Sequence, residues 1–254
     1  MGNDLLNNFI KKLDTEPVIG LFMKTTDPAF AEIAGYAGFD FVILDAEHGV
    51  TSFENMKNLI RAAELRGALP IIRLPEISES VISKSLDIGA YGVQVPHIKS
   101  SAQVKKVVKA AKFHPLGERG VCRFVRAAGY SSVPRGEYFK NANKRLIVAQ
   151  LEGAEAIDNL DELIENAQMD VLFIGPYDLS QSLGVPGDVS NPLVIEKIKQ
   201  IIKKAKEKNI TVGTFADTKE SLDMWKSAGV KYLAYSVDVG LFYDKCKEIT
   251  EGFV

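Results

Sequence analysis

Short apolar runs punctuate the chain at Val18 to Met23, Phe41 to Leu44, Leu69 to Leu74, Gly92 to Pro96, Leu146 to Leu151, Val171 to Ile174, Ile210 to Phe215 and Tyr232 to Val237. They read as buried parallel strands. Between most of them lie stretches of helical period, such as Phe53, Met56, Leu59, Ile60 and Ala63, or Val104, Val107, Val108 and Ala111. About eight strand-helix units in 254 residues predict a closed (β/α)8 TIM barrel, with a doubly wound open sheet as the alternative. Glycines support this register: Gly35 and Gly38 precede Phe41, Gly89 precedes Tyr91 and Gly229 precedes Tyr232, each where a helix ends before its strand. The alternation breaks from Phe113 to Lys144, where a loop rich in Gly, Pro and Arg leads to a short helix near Tyr138. No linker, low-complexity tract or further repeat divides the sequence, so residues 1–254 are expected to form one domain.

Hydrophobic residues at 46% and charged ones at 25% suffice for a buried core and exclude a disordered or disulfide-scaffold chain. With 31 Lys+Arg against 33 Asp+Glu, the net charge of -2 gives no electrostatic case for nucleic acid or an anionic membrane. The expected partner is a small molecule. Cys122 and Cys246 form neither a disulfide framework nor a zinc motif, which fits a reducing cytoplasm. Met1 to Thr15 carries Leu5, Leu6, Phe9, Ile10 and Leu13 on one helical face, unlike a signal peptide, and no run approaches the roughly 18 apolar residues of a membrane span.

Barrel enzymes work at the carboxyl ends of their strands, so the polar residues just after each apolar run are the candidates. Asp45, Glu47 and His48 follow the second run. Arg73 ends the third, Pro96 and His97 the fourth, Gln150 and Glu152 the fifth, and Gly175, Pro176, Tyr177 and Asp178 the sixth, while Asp238 follows the eighth. Carboxylates and an arginine gathered at strand ends need each other or an ion to offset desolvation. Glu152 and Asp178, from adjacent strands, suit a hard cation such as Mg²⁺ or Mn²⁺. Spacing alone equally allows them to balance Arg73 and cap helices, Asp178 standing near the start of one. His48 beside Asp45, and His97, are candidate bases, whereas His114 has no such company. Lys24, after the first strand, is the candidate for a Schiff base. The loops after the seventh and eighth runs are acidic rather than glycine-rich, which disfavours a sugar-phosphate substrate.

A series of motifs in order resembles the HpcH/HpaI aldolase family, metal-dependent aldolases related to citrate lyase and the phosphoenolpyruvate/pyruvate-type barrels. The series runs Ala37-Gly38-Phe39-Asp40, Leu44-Asp45-Ala46-Glu47-His48, Arg73-Leu74-Pro75, Leu86-Asp87-Ile88-Gly89-Ala90, Pro115-Leu116-Gly117-Glu118-Arg119-Gly120-Val121, Gln150-Leu151-Glu152 and Phe173-Ile174-Gly175-Pro176-Tyr177-Asp178-Leu179-Ser180. The resemblance implies reversible cleavage of a 4-hydroxy-2-oxo acid to pyruvate and an aldehyde. It assigns Glu152 and Asp178 to Mg²⁺ or Mn²⁺, Arg73 to the ketone oxygen that becomes an enolate, and His48 to the 4-hydroxyl proton with Asp45 holding its ring. Asp87 would come from a neighbouring subunit, which implies a homo-oligomer, a hexamer by resemblance. Backbone amides around Gly175, Pro176, Tyr177 and Asp178 would hold the substrate carboxylate, with Gln150 orienting the acid.

Tyr177 stands where many relatives of this type carry a small residue, Phe215-Ala216 replaces an aliphatic pair on the aldehyde side, and His97 replaces an apolar residue after Pro96. These departures leave the aldehyde open. The same scaffold also accommodates an oxaloacetate decarboxylase or an acyl-CoA lyase, and a non-catalytic 2-oxo acid binding protein would keep Arg73 and the carboxylate pair without needing His48.

Overall fold

The apolar runs form one closed parallel barrel of eight strands in sequence order, β1 (Val18–Met23), β2 (Phe41–Asp45), β3 (Leu69–Arg73), β4 (Gly92–Ile98), β5 (Leu146–Leu151), β6 (Val171–Ile174), β7 (Thr211–Ala216) and β8 (Tyr232–Val237). The computed structural model describes residues 2–165 and 168–253; Met1, expected at the start of the first helix, lies outside the described residues. The barrel closes through β1 and β8, which excludes the open sheet. Two strands outrun their apolar residues. β2 extends to Asp45, paired in register with Arg73, and β4 passes through Pro96 to Ile98 with a break in register after Val95.

Strand alternation decides what faces the barrel interior. Val18, Phe22, Phe41, Ile43, Leu69, Ile71, Leu146, Val148, Val171, Phe173, Tyr232 and Ala234 share one buried cluster inside it. Leu6, Phe9 and Leu13 of the helix Gly2–Thr15 belong to the same cluster, so this helix closes the amino end, with Phe9 edge-on to Phe41 at 5.8 Å between centroids. A Cβ on Gly20 would lie 2.2 Å from the Phe41 ring, so only glycine admits that aromatic inside the barrel. The alternate residues, including Val42, Leu44, Ile72, Val93, Ile147 and Leu172, pack outward with the helices. Continuing the inward parity to the carboxyl ends gives Asp45 on β2, Arg73 on β3, Gln94 on β4 and Gln150 on β5. The apolar floor therefore gives way to polar side chains at the mouth.

Helix ends behave as their glycines indicate at Gly229, which caps the helix Lys219–Ala228 in the left-handed region at φ 93°. Gly35 differs. It lies within the helix Pro28–Tyr36, where its absent side chain admits Arg66, whose Cβ would be 2.4 Å from an added Cβ. The irregular stretch after Phe113 contains a short 3-10 segment (Arg126–Ser131) and a helix (Arg135–Ala142), pinned by a small cluster of Phe113, Ala128, Tyr138 and Ala142. Among the described residues no helix is long and apolar enough to cross a membrane.

Candidate active site

Asp45 and Arg73 are register partners on neighbouring strands, both facing the barrel axis at its mouth, and both are buried. The guanidinium grips the carboxylate as a fork, Nε donating to Oδ1 at 2.9 Å and Nη2 to Oδ2 at 2.7 Å. Burial alone would raise the Asp45 carboxyl. The hydrogen bonds and charge of Arg73, with the backbone N–H groups of His48 and Glu47, outweigh it and hold the group below its ordinary range. Those N–H groups donate to Asp45 Oδ1 at 3.2 and 3.0 Å, so one carboxylate fixes both the arginine and the turn after β2. This corrects the expected role of Asp45: its oxygens are engaged by Arg73 and by backbone, and it does not hold the His48 ring. That ring is 62% exposed at the rim, with Nε2 4.0 Å from Glu47 Oε2.

Beside the Arg73 fork lies a group of acids. Glu47 Oε2 is 3.1 Å from Arg73 Nη1, yet it is buried and has no hydrogen bond of good geometry. His97 sits between two carboxylates, Nε2 3.2 Å from Glu47 Oε1 and Nδ1 2.5 Å from Glu152 Oε2. Glu152 Oε1 accepts from the Gln150 side-chain amide, whose own oxygen accepts from Gln94, so a file of three side chains from β4 and β5 leads to the carboxylate. Asp178 approaches from the other side. An ideal Cβ on Gly175 would sit 3.5 Å from Asp178 Oδ2 and 3.7 Å from Glu152 Oε1, so the two carboxylates flank this glycine. Burial first, then the charges of Asp178 and Glu47, raise the Glu152 carboxyl against the opposing pull of Gln150 and His97.

The donor set suits a divalent cation. Asp45 takes up most of the Arg73 charge, so Glu47, Glu152 and Asp178 bring more negative charge than that one guanidinium balances, around a glycine that adds no bulk, and Glu47 Oε2 has no hydrogen bond. Carboxylate and imidazole atoms of Glu47, His97 and Glu152 lie within 4.8 Å of one another. Sequence reading places Glu152 and Asp178 here, gives Glu47 no role beyond its place after a strand end, and offers His97 as a candidate base rather than as a neighbour of the acids. The signal for both is position near a strand end.

The remaining expected residues divide. Tyr177 donates its hydroxyl to Asp217 Oδ2 at 2.8 Å, and burial, reinforced by this contact, pushes the phenol up to about 12. Its ring lies 6.0 Å from Phe215, Phe215 lies 5.9 Å from Phe22, and the Arg73 guanidinium stands 4.8 Å over Phe22, forming an aromatic wall along one side of the mouth. The Gly175 amide is not available for a substrate carboxylate, because it donates to Leu151 O on the adjacent strand β5 at 3.3 Å. Pro176 has no N–H, so the first-turn donors are those of Tyr177 and Asp178. Asp87 ends the helix Glu79–Asp87 just ahead of β4, at the opposite end of the barrel, where Arg119 Nη2 holds it at 2.5 Å. Among the described residues it meets none at the mouth. Asp238 is structural: it accepts the amides of Lys24 and Thr25 and the Thr25 hydroxyl.

A closed parallel barrel with a paired arginine and an acidic, glycine-backed pocket at its strand ends is a TIM-barrel enzyme built around developing negative charge. Residues 18–244 match the family described as HpcH/HpaI aldolase/citrate lyase. A 2-keto-3-deoxy-L-rhamnonate aldolase of Klebsiella pneumoniae is 34% identical over 244 residues, covering 94% of this chain and 91% of that protein. A 5-keto-4-deoxy-D-glucarate aldolase of Citrobacter koseri is 29% identical over 256 residues, covering 100% and 99%. Among solved structures, a family protein from Burkholderia cenocepacia J2315 superposes with a TM-score of 0.91 at 26% identity, covering 97% of this chain and 99% of that one. The chain belongs to the HpcH/HpaI aldolase/citrate lyase family. It is a carbon-carbon lyase, an aldolase that cleaves a 4-hydroxy-2-oxo acid to pyruvate and an aldehyde.

Proposed function

We propose that the enzyme cleaves a polyhydroxylated 3-deoxy-2-oxo acid, with Mg²⁺ or Mn²⁺ held by Glu152 and Asp178. The Arg73 guanidinium, clamped by Asp45 beside those carboxylates, carries this reading. When bound, the cation supplies Lewis-acid stabilisation of charge on the 2-oxo acid. Arg73 faces the ketone oxygen, which gains charge as the C3–C4 bond breaks and an enolate forms. Its position is fixed before reaction, so it favours the enolate over the ketone without reorganising. The first-turn amides of Tyr177 and Asp178 hold the substrate carboxylate, and Gln150, oriented by Gln94, keeps Glu152 in place. His48, at the open rim, takes the 4-hydroxyl proton as the aldehyde forms. In the reverse direction it returns that proton.

Tyr177, Asp217 and Phe215 line the aldehyde side. A phenol and a carboxylate there suit the hydroxyls of a sugar-derived aldehyde, and the names of the two relatives, a deoxy-rhamnonate and a deoxy-glucarate aldolase, point the same way. Asp87 lies at the far end of its own barrel, so a part in catalysis requires Asp87 of the partner subunit; a homo-oligomer, a hexamer by family resemblance, supplies it. The whole chain acts as one catalytic domain in the cytoplasm, where the two free, exposed cysteines stay reduced.

The test is turnover of 2-keto-3-deoxy-L-rhamnonate before and after chelation. Metal removal should abolish pyruvate release, Mn²⁺ or Mg²⁺ should restore it, and borohydride with pyruvate should leave activity intact. Borohydride inactivation, combined with turnover that survives exhaustive chelation, would replace the metal mechanism with a lysine adduct, Lys24 being the candidate.

A further inference from the structure

None of the steps above uses His97, although it stands between two acids of the mouth, as Arg73 does between Asp45 and Glu47. The backbone that brings it there is unusual. His97 lies in the left-handed region at φ 56°, which non-glycine residues occupy sparingly, and it stands where the β4–β5 register breaks between Val95 and Ile98. Its N–H donates to Glu152 Oε2 at 3.3 Å, and its ring sits with Nδ1 2.5 Å from that oxygen and Nε2 3.2 Å from Glu47 Oε1. Main chain and side chain both address the acids, although the ring as a whole is 61% exposed. A solvated histidine needs none of this.

We propose that His97 is a nitrogen ligand of the divalent cation held by Glu152 and Asp178, with Glu47 orienting its ring from the far side. The inference rests on the metal reading given above and extends its ligand set. Neighbouring ligands on an ion at about 2.1 Å lie about 3 Å apart, and the Nδ1 and Glu152 oxygen are close enough to face one such point. Metal-bound imidazoles commonly donate the other N–H to a carboxylate, which fixes the tautomer and the ring plane. Glu47 Oε1 is placed to accept that bond. Its second oxygen stands 3.1 Å from Arg73 Nη1, so the carboxylate is held between guanidinium and imidazole, Glu47 being only 8% exposed. Glu47 is then a positioning residue and His97 a ligand.

Nitrogen ligation has a chemical consequence. Imidazole suits first-row transition ions, whereas Mg²⁺ prefers oxygen alone, so this site should select Mn²⁺ or Co²⁺ over Mg²⁺ more strongly than two carboxylates would. The test is pulsed EPR of the Mn²⁺-loaded protein, with calorimetric titrations of Mn²⁺ and Mg²⁺ into the metal-free protein, its His97→Ala variant and its His97→Gln variant. Electron-spin-echo modulation from a directly bonded ¹⁴N is expected in the unaltered protein and absent in both variants. Mn²⁺ affinity should fall about 10–100-fold in His97→Ala, the span seen when groups supporting a metal are lost, while Mg²⁺ affinity falls less, so the ratio of the two affinities drops. Mn²⁺ bound without ¹⁴N modulation, and with an unchanged ratio in His97→Ala, would overturn the inference while leaving the metal reading standing. Mn²⁺ binding that is insensitive to Glu152→Gln and Asp178→Asn, or no Mn²⁺ binding, would overturn both. The spectroscopic result needs no variant to fold.

Discussion

Replacing Asp45 with asparagine removes one charge from the most deeply buried ion pair of the mouth and changes little else in shape. The amide retains a carbonyl oxygen for Arg73 Nε and for the backbone N–H groups of Glu47 and His48, but it turns an N–H toward Arg73 Nη2 where an acceptor stood at 2.7 Å. Removing one partner of a buried pair costs about 3–5 kcal/mol, because the other is left charged and desolvated. Glu47, 3.1 Å from Arg73 Nη1, remains as partial compensation, so the lower end, about 3 kcal/mol, is expected. In a chain of this size each kcal/mol moves Tm by about 2–4 °C, giving a loss of about 6–12 °C at pH 7 by scanning calorimetry. The pH dependence has a definite sign. The native Asp45 carboxyl lies below its ordinary range, because Arg73 outweighs the cost of burial. Its stabilisation is therefore present above the unfolded value near 3.9 and disappears as pH falls through the lower native value. The gap in Tm between the two proteins should hold from pH 7 to about 5 and close below about 4. Asp45→Asn with Arg73→Met should cost less than the sum of the single changes. A gap under about 2 °C at pH 7, against the roughly 6 °C minimum above, or one that widens in acid, would refute the view that Asp45 serves chiefly to anchor Arg73.

His48→Ala should separate aldol cleavage from oxaloacetate decarboxylation, because only the former has a hydroxyl proton to remove. A loss of about 10²-fold or more in cleavage, with decarboxylation largely kept, is expected in paired kcat measurements, whereas equal losses would place His48 on the shared enolate step. Tyr177→Phe removes the bond to Asp217 without emptying the wall, so KM for a hydroxylated aldehyde in the synthetic direction should rise severalfold while KM for pyruvate stays near its starting value. A matching rise for pyruvate would move Tyr177 to the acid-binding side.

The barrel was legible because buried parallel strands are written as apolar runs and their helices as a 3.6-residue period, two signals that rarely imitate each other at this spacing. Parity carried the reading into the site. Asp45, Arg73 and Gln150 continue the inward-facing rows of Phe41, Ile43, Leu69, Ile71, Leu146 and Val148, so strand alternation alone aims them at the axis. Gln94 follows the same rule on β4 and was overlooked because a glutamine in a strand announces no chemistry. Glu47 and His97 obey no such rule. One lies on a turn folded by Asp45 accepting the next amides, the other at a left-handed residue where β4 leaves its register. Their directions are set by local backbone geometry that the period of a strand does not encode. The Asp45–His48 pairing failed for the same reason: nearness in sequence put the two together, while the cross-strand register had already given Asp45 to Arg73.

That preference of Asp45 for its cross-strand partner divides the mouth into two kinds of chemistry. On the side proposed for the enolate, Arg73 is held by a buried carboxylate and packed over Phe22, and Glu152 is held by the Gln94–Gln150 file. These groups cannot relax when charge moves onto a substrate oxygen, which is the condition for favouring a transition state over a ground state. On the side proposed for the aldehyde, His48 is exposed and Tyr177 meets Asp217 at the surface. A base in that position exchanges protons readily with water and acts on whichever hydroxyl is presented to it. On this proposal rigidity serves the half of the substrate that every 2-oxo acid shares, and openness the half by which these acids differ. On that proposal, variation at Tyr177 and Asp217, which hydrogen-bond to each other, can alter the accepted aldehyde with least effect on the Asp45–Arg73 clamp, whereas Phe215 packs on Phe22 beneath Arg73 and is coupled to it.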